Sequence, residues 1–162
     1  AKARTMLTEL QGETTEALET LRDLARGIYP PLLADKGLAA ALEAQVRKSP
    51  VPASVEADGV GRYVQDVEAA VYFCVLEALQ NVAKYAEASR VVVRLDDADG
   101  TLRFAVEDDG MGFDPGSARG TGLTNMRDRL EALGGRLDVR SAPGHGTTVA
   151  GRISLTPTDG PR

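Results

Sequence analysis

Between residues 51 and 155 the sequence keeps changing its hydrophobic period, and that alternation limits the fold more than any other feature. Residues 51–57 suit a strand. Residues 64–86 form a long helical stretch. At about 100° per residue, Val67, Val71, Cys74, Val75, Ala78 and Val82 fall on one apolar stripe there. Residues 90–96 and 102–107 alternate as two strands joined by the turn-forming Asp97-Ala98-Asp99-Gly100. Residues 122–133 are helical again and close on Gly134-Gly135. Residues 137–141 and 147–155 are strands on either side of Pro143-Gly144-His145-Gly146. Helices and strands interleave without an internal repeat, which predicts an α/β or α+β protein, with helices packed against a sheet.

A different pattern precedes this region. Leu7, Leu10, Thr14, Ala17, Leu21, Leu24 and Ile28 follow alternating steps of three and four, a heptad seam of the kind found in coiled coils and bundles. A lone helix of this length is marginal in water, so the seam needs a partner, either another helix or the chain's own domain. Gly27 and Pro30-Pro31 end the helix, because proline cannot continue it and biases Tyr29 toward an extended conformation. Residues 37–48 then read as a short amphipathic helix with Leu38, Leu42 and Val46 on one side. Residues 156–162 read as a polar, frayed tail.

Charge and cysteine content narrow the function. The 162 residues carry 19 Lys and Arg against 24 Asp and Glu, a net charge of −5, with no basic block to track nucleic acid. The single cysteine, Cys74, excludes an internal disulfide framework and a CxxC metal pair, and a reducing, cytoplasmic setting is expected. No run of eighteen apolar residues occurs, so no membrane contact is expected from these residues. The chain begins inside a helix, as a piece of a longer protein would, and any membrane anchor is expected upstream.

Four segments carry residue types suited to chemistry. Glu77, Asn81 and Lys84 lie within roughly 60° of one another on the border of the apolar stripe. Asn offers a hard oxygen to Mg²⁺, Lys a point charge to phosphate, and Glu a base; a solvated polar face is the alternative. Asp108 precedes Gly110-Met111-Gly112, where two glycines let the backbone approach a ligand, or simply form a surface turn. Gly120-Thr121-Gly122-Leu123 leads into a helix whose exposed N–H groups suit an anion, unless Thr121 is only a cap. No Lys-Ser/Thr pair follows, so this is not a Walker A loop. Gly144-His145-Gly146-Thr147 enters the last strand, where a hairpin turn is the plain alternative.

Taken in order, Glu-x-x-x-Asn, Asp-x-Gly-x-Gly, Gly-x-Gly-Leu and Gly-x-Gly-Thr resemble the N box and the three glycine boxes of the GHKL ATPases. That superfamily includes DNA gyrase and the histidine kinases, and the likeness covers residues 64–155. Residues 21–33 (LRDLARGIYPPLL) look like the segment joining dimerisation helices to the catalytic domain in sensor kinases that partner NarL/LuxR-type response regulators. Residues 77–86 (EALQNVAKYA) and 123–129 (LTNMRDR) are similar to the same subfamily's N box and post-lid helix.

The resemblance implies the Bergerat fold, a mixed sheet covered on one face by helices, and ATP and Mg²⁺ as ligands. It implies Asn81 as Mg²⁺ ligand, Glu77 orienting or polarising the reacting groups, and Lys84 on phosphate. Asp108 would accept the adenine amino hydrogen, with Gly110 and Gly112 lining the base pocket and Thr147 supporting the adenine end. Gly120 and Gly122, with Thr121 and Leu123 beside them, would serve the phosphates. Tyr85 departs from the family, where His is usual, which puts a phosphate contact from that position in doubt. The lid, residues 113–119, is very short.

The implied organisation is residues 1–30 from a dimerisation region, 31–156 as catalytic domain and 157–162 as tail. No His lies in residues 1–36, so the phosphoacceptor His is expected on a dimerisation helix outside this chain, within a homodimer that passes phosphate to a response regulator. The only His, His145, is read as an incidental loop residue. An anti-sigma-type serine kinase and a non-catalytic ATP-binding docking module are the rival readings.

Overall fold

The computed structural model describes residues 2–25, 29–116 and 121–155. The chain divides into two compact units, Ala1–Pro31 and Leu32–Arg162. The first is helix α1, Lys2–Ala25. Met6, Leu7 and Leu10 stand 61%, 60% and 55% exposed on it. The side chains of Thr14, Ala17, Leu21 and Leu24, and all of Ile28, lie outside the described residues.

The second unit is a five-stranded sheet with helices against one face. Its strands are β1 (Ala53–Asp58), β2 (Val91–Ala98), β3 (Thr101–Asp108), β4 (Arg136–Ser141) and β5 (Thr147–Ser154). They lie in the order β1-β2-β3-β5-β4, with β1 and β2 parallel and every other pair antiparallel. The β2–β3 hairpin turns through Asp99 and Gly100, both at positive φ, as the two central residues of a type I′ turn require. The helices are α2 (Pro31–Lys36), α3 (Leu38–Arg47), α4 (Gln65–Asn81) and α5 (Thr121–Glu131).

The core forms where strand and helix periods face each other. Paired residues share a face of the sheet, so Val93, Val106, Val149 and Val139 make one inward row, and Leu95, Phe104, Gly151 and Leu137 the next. Gly151 is a packing requirement: a Cβ there would lie 2.2 Å from Phe104 Cε1. The α4 stripe lies within this core, with Val71, Cys74 and Val75 fully buried and Val67, Ala78 and Val82 nearly so.

Two features differ from the sequence expectation. Pro31, read only as part of a helix stop, also opens α2, where its missing N–H costs nothing and its φ is already helical. The long helix also does not run as α-helix to residue 86. It gives way after Asn81 to a π turn, Val82–Ala86, closed by Glu87 at φ 49°.

A clasp joins α2 to α4. Glu68, 1% exposed, accepts hydrogen bonds from Arg62 Nε (3.2 Å) and Nη2 (3.3 Å). The same guanidinium donates to the carbonyls of Leu33, Ala34 and Asp35, satisfying the open end of α2. Arg62→Ala removes the guanidinium that hydrogen-bonds this sealed carboxylate and is expected to destabilise the unit by about 3 kcal/mol. Denaturant unfolding checks this, and adding Glu68→Gln should recover part of the loss.

Candidate nucleotide site

The site lies at the C-terminal ends of α4 and β3. Glu77 and Asn81 are half-buried near the end of α4, and no other side chain among the described residues engages the Asn81 carboxamide. The π turn adds a residue to the next turn, so the positions after Val82 leave the 100° projection that grouped Glu77, Asn81 and Lys84. Lys84 and Tyr85 are exposed, Tyr85 to 69%. The turn delivers the Ala86 carbonyl to the first glycine loop, where Met111 donates its N–H at 2.7 Å. Gly110 is required at this approach, since a Cβ there would lie 2.2 Å from Ala86 O.

Asp108, the last residue of β3, points inward in register with Val91 and Thr147. Its carboxylate accepts the Gly110 N–H at 2.8 Å. Burial pushes its pKa up and the neighbouring Asp109 adds to that, while the Gly110 and Thr147 backbone amides pull the other way. Asp109 has a different fate. It accepts the backbone N–H groups of Ser89 (2.9 Å) and Arg90 (3.0 Å) and the Ser89 hydroxyl, which hold its pKa low. One acid of the pair ties loops together and the other remains poised in a half-buried position.

The third glycine segment closes over the first. Gly146 donates to Gly110 O at 3.0 Å and Gly144 to Met111 O at 2.6 Å. Ser141, which the sequence reading passed over, links the two loops. Its Oγ accepts the Phe113 N–H at 2.8 Å, donates to Gly146 O at 3.1 Å, and lies 2.7 Å from Thr147 Oγ1. Its signal in the sequence was its inward parity with Leu137 and Val139. His145 is exposed in this loop, its backbone N–H bonded to Ala142 O.

Helix α5 brings the second glycine segment to Glu77: a Cβ on Gly122 would stand 2.7 Å from Glu77 Oε1. Met126 and Leu130 anchor α5 in the core, and Arg129 lies 4.9 Å over the Phe73 ring of α4. Leu123 is half-buried. Gly120, the Thr121 side chain and lid residues 117–119 lie outside the described residues. Cys74, its Sγ 3.7 Å from Met126 O, is fully buried, and that burial pushes its thiol up to about 12, the character of a packed structural cysteine.

Among the described residues no cluster of three or more His, Cys, Asp or Glu side chains could cage a metal. A lone hard donor such as Asn81 suits a Mg²⁺ held largely by phosphates and water. No described helix is long and apolar enough to cross a membrane.

A half-buried acid at a strand end, two interlocked glycine loops and a glycine-opened helix against an Asn-bearing helix define an ATPase domain of one kind. The chain belongs to the histidine kinase-, DNA gyrase B-, and HSP90-like ATPase family, which matches residues 66–157. Within it, this is a histidine-kinase-type ATPase domain, homologous to sensor histidine kinases. It is 32% identical to the signal transduction histidine-protein kinase/phosphatase DegS of Brevibacillus brevis over 87% of this chain and 42% of that protein. It is also 32% identical to the sensor histidine kinase MctS of Rhizobium johnstonii, over 82% of this chain and 31% of that one. The chain thus spans less than half the length of these curated relatives. The solved blue-light activated histidine kinase of Erythrobacter litoralis superposes with a TM-score of 0.64 at 26% identity, over 75% of this chain and 42% of that chain.

Proposed function

We propose that the second unit holds ATP with Mg²⁺ and presents the γ-phosphate to a histidine on a dimerisation helix outside this chain, for relay to a response regulator. The observation that carries the reading is the meeting of the Asp108 carboxylate, both interlocked glycine loops and the π turn after Asn81 at one end of the sheet. In this reading Asp108 accepts a hydrogen from the adenine amino group, Gly110 and Gly112 line the base, and Thr147 supports Asp108 from β5. Gly120, Thr121, Gly122 and Leu123 serve the phosphates, with the free N–H groups at the start of α5 suited to an anion. Lys84 adds a point charge, and Tyr85 flanks the nucleotide from the same turn. Asn81 ligates Mg²⁺, which supplies charge neutralisation when bound, and Glu77 positions the reacting groups. Residues 1–30 belong to the dimerisation region, so the whole protein acts as a homodimer.

The test uses γ-labelled ATP. The 162-residue chain should bind MgATP and alone acquire no acid-labile phosphate. Adding a polypeptide with an upstream His-bearing dimerisation helix should restore labelling in trans, slowly, because positioning the acceptor is worth several kcal/mol. Acid-stable label on the added partner would favour a serine kinase. Acid-labile label on the chain alone that disappears in His145→Ala would overturn the reading.

A further inference from the structure

The face of the sheet away from the helices has its own charge pattern. One register row crosses all five strands as Asp58, Asp96, Arg103, Arg152 and Arg136. Outward side chains of such a row stand about 5 Å apart, strand to strand. Arg103 is matched by Asp96 at 3.4 Å, Arg94 by Glu107 at 3.2 Å and by Glu56, and Arg140 by Asp138 at 3.0 Å. Arg136 and Arg152 make no ion pair among the described residues, although they are paired directly opposite each other. Like charges so placed on neighbouring strands repel. In the next row Ala105 faces Ala150, and these short side chains leave a shallow depression of about 600 Å³ that the two arginines border.

We infer that this β3–β5–β4 surface is a docking site for an acidic helical segment of a partner protein. The charge is complementary only locally. The β1–β2 half of the face carries Glu56, Asp58 and Asp96, so a broad polyanion is repelled there. The acid of β4, Asp138, also lines the depression but is paired with Arg140, so a narrow acidic element over β5 and β4 is not repelled. Spacing points to a helix: carboxylates three or four residues apart rise by about 4.5–6 Å, close to the strand-to-strand step between Arg152 and Arg136. Each guanidinium can take one carboxylate in a bidentate pair, relieving the repulsion. The alanine floor admits the helix backbone closely. The surface is separate from the nucleotide site, whose residues come from the inward face and the loops.

The test is an amide-resolved NMR titration of the whole chain with a synthetic alanine-based helical peptide carrying Glu pairs four residues apart. Its Gln counterpart and inorganic phosphate serve as further arms. The Glu peptide should shift amides of β3, β5 and β4, with affinity falling as salt rises, and the Gln peptide should not. Arg136→Gln with Arg152→Gln should weaken the peptide at least about tenfold, leave ATP binding unchanged and not lower the melting temperature. The inference is overturned if the Glu peptide shifts other surfaces or none, or if the double variant binds it equally. It is also overturned if phosphate at equal concentration shifts the same amides as strongly, or if raising the concentration of the chain alone does so, which would make the face a small-anion site or a self-interface.

Discussion

Asn81→Ala is expected to lower phosphoryl transfer on the order of a hundredfold or more while ADP still binds. Positioning and charge neutralisation carry this class of reaction, so losing the proposed Mg²⁺ ligand should be felt chiefly in the transition state. The structure makes the variant a clean one. Asn81 is the last residue of α4 and only half-buried, and its carboxamide holds no other described side chain, so truncation should leave the fold intact. The adenine contacts proposed for Asp108 and the glycine loops lie on other elements. Single-turnover transfer to a His-bearing helix, with calorimetric ADP binding alongside, checks both halves. Near wild-type transfer in Mg²⁺ would remove Asn81 as the ligand.

The second large effect concerns base choice. In the proposed site the Asp108 carboxylate accepts from the adenine amino group, whereas guanine presents a carbonyl, acceptor against acceptor. A buried mismatch of that kind costs about 1–3 kcal/mol, so ATP and ADP should outcompete GTP by about tenfold or more. Asp108→Ala should weaken ATP comparably and erase the preference. The acceptor must be ionised to work, and burial raises the Asp108 pKa. Affinity should therefore fall on acidification at a pH above that at which an ordinary aspartate protonates, and the fall should be absent in Asp108→Ala. Equal binding of ATP and GTP in calorimetry would defeat the assignment.

Periodic segments were legible in the sequence because burial writes them there. The α4 stripe from Val67 to Val82 is the inward face of that helix, and the two-residue Asp99-Gly100 turn sits where turn chemistry demanded it. What stayed hidden depends on backbone atoms or distant partners. Pro31 can follow the end of one helix and also open the next, and the short α2 is held by the burial of Leu33, which local sequence does not reveal. Glu68 lies one step from the apolar stripe, and its burial was not legible because its partner Arg62 sits in a preceding loop. Of the site, the motif residues were legible, but not the carbonyl of Ala86 that receives Met111, nor the hydroxyl of Ser141 that joins the loops. Neither role depends on a side chain with an obvious chemical signature.

The π turn at Val82–Ala86 makes the site sensitive to counting. An α-turn closes on the fourth residue and a π turn on the fifth, so this stretch holds one residue more than a regular helix needs to make the same circuit. That surplus sets where the Ala86 carbonyl ends up, and with it the seat of Met111 and Gly110. Substitutions along the turn can be absorbed by changing a side chain. A one-residue deletion cannot, because it would regularise the helix and carry the carbonyl round to a different azimuth. Between Asn81 and Ala86 chain length is therefore itself under constraint, and tolerance of insertions and deletions is best sought at exposed turns such as Asp99-Gly100 instead.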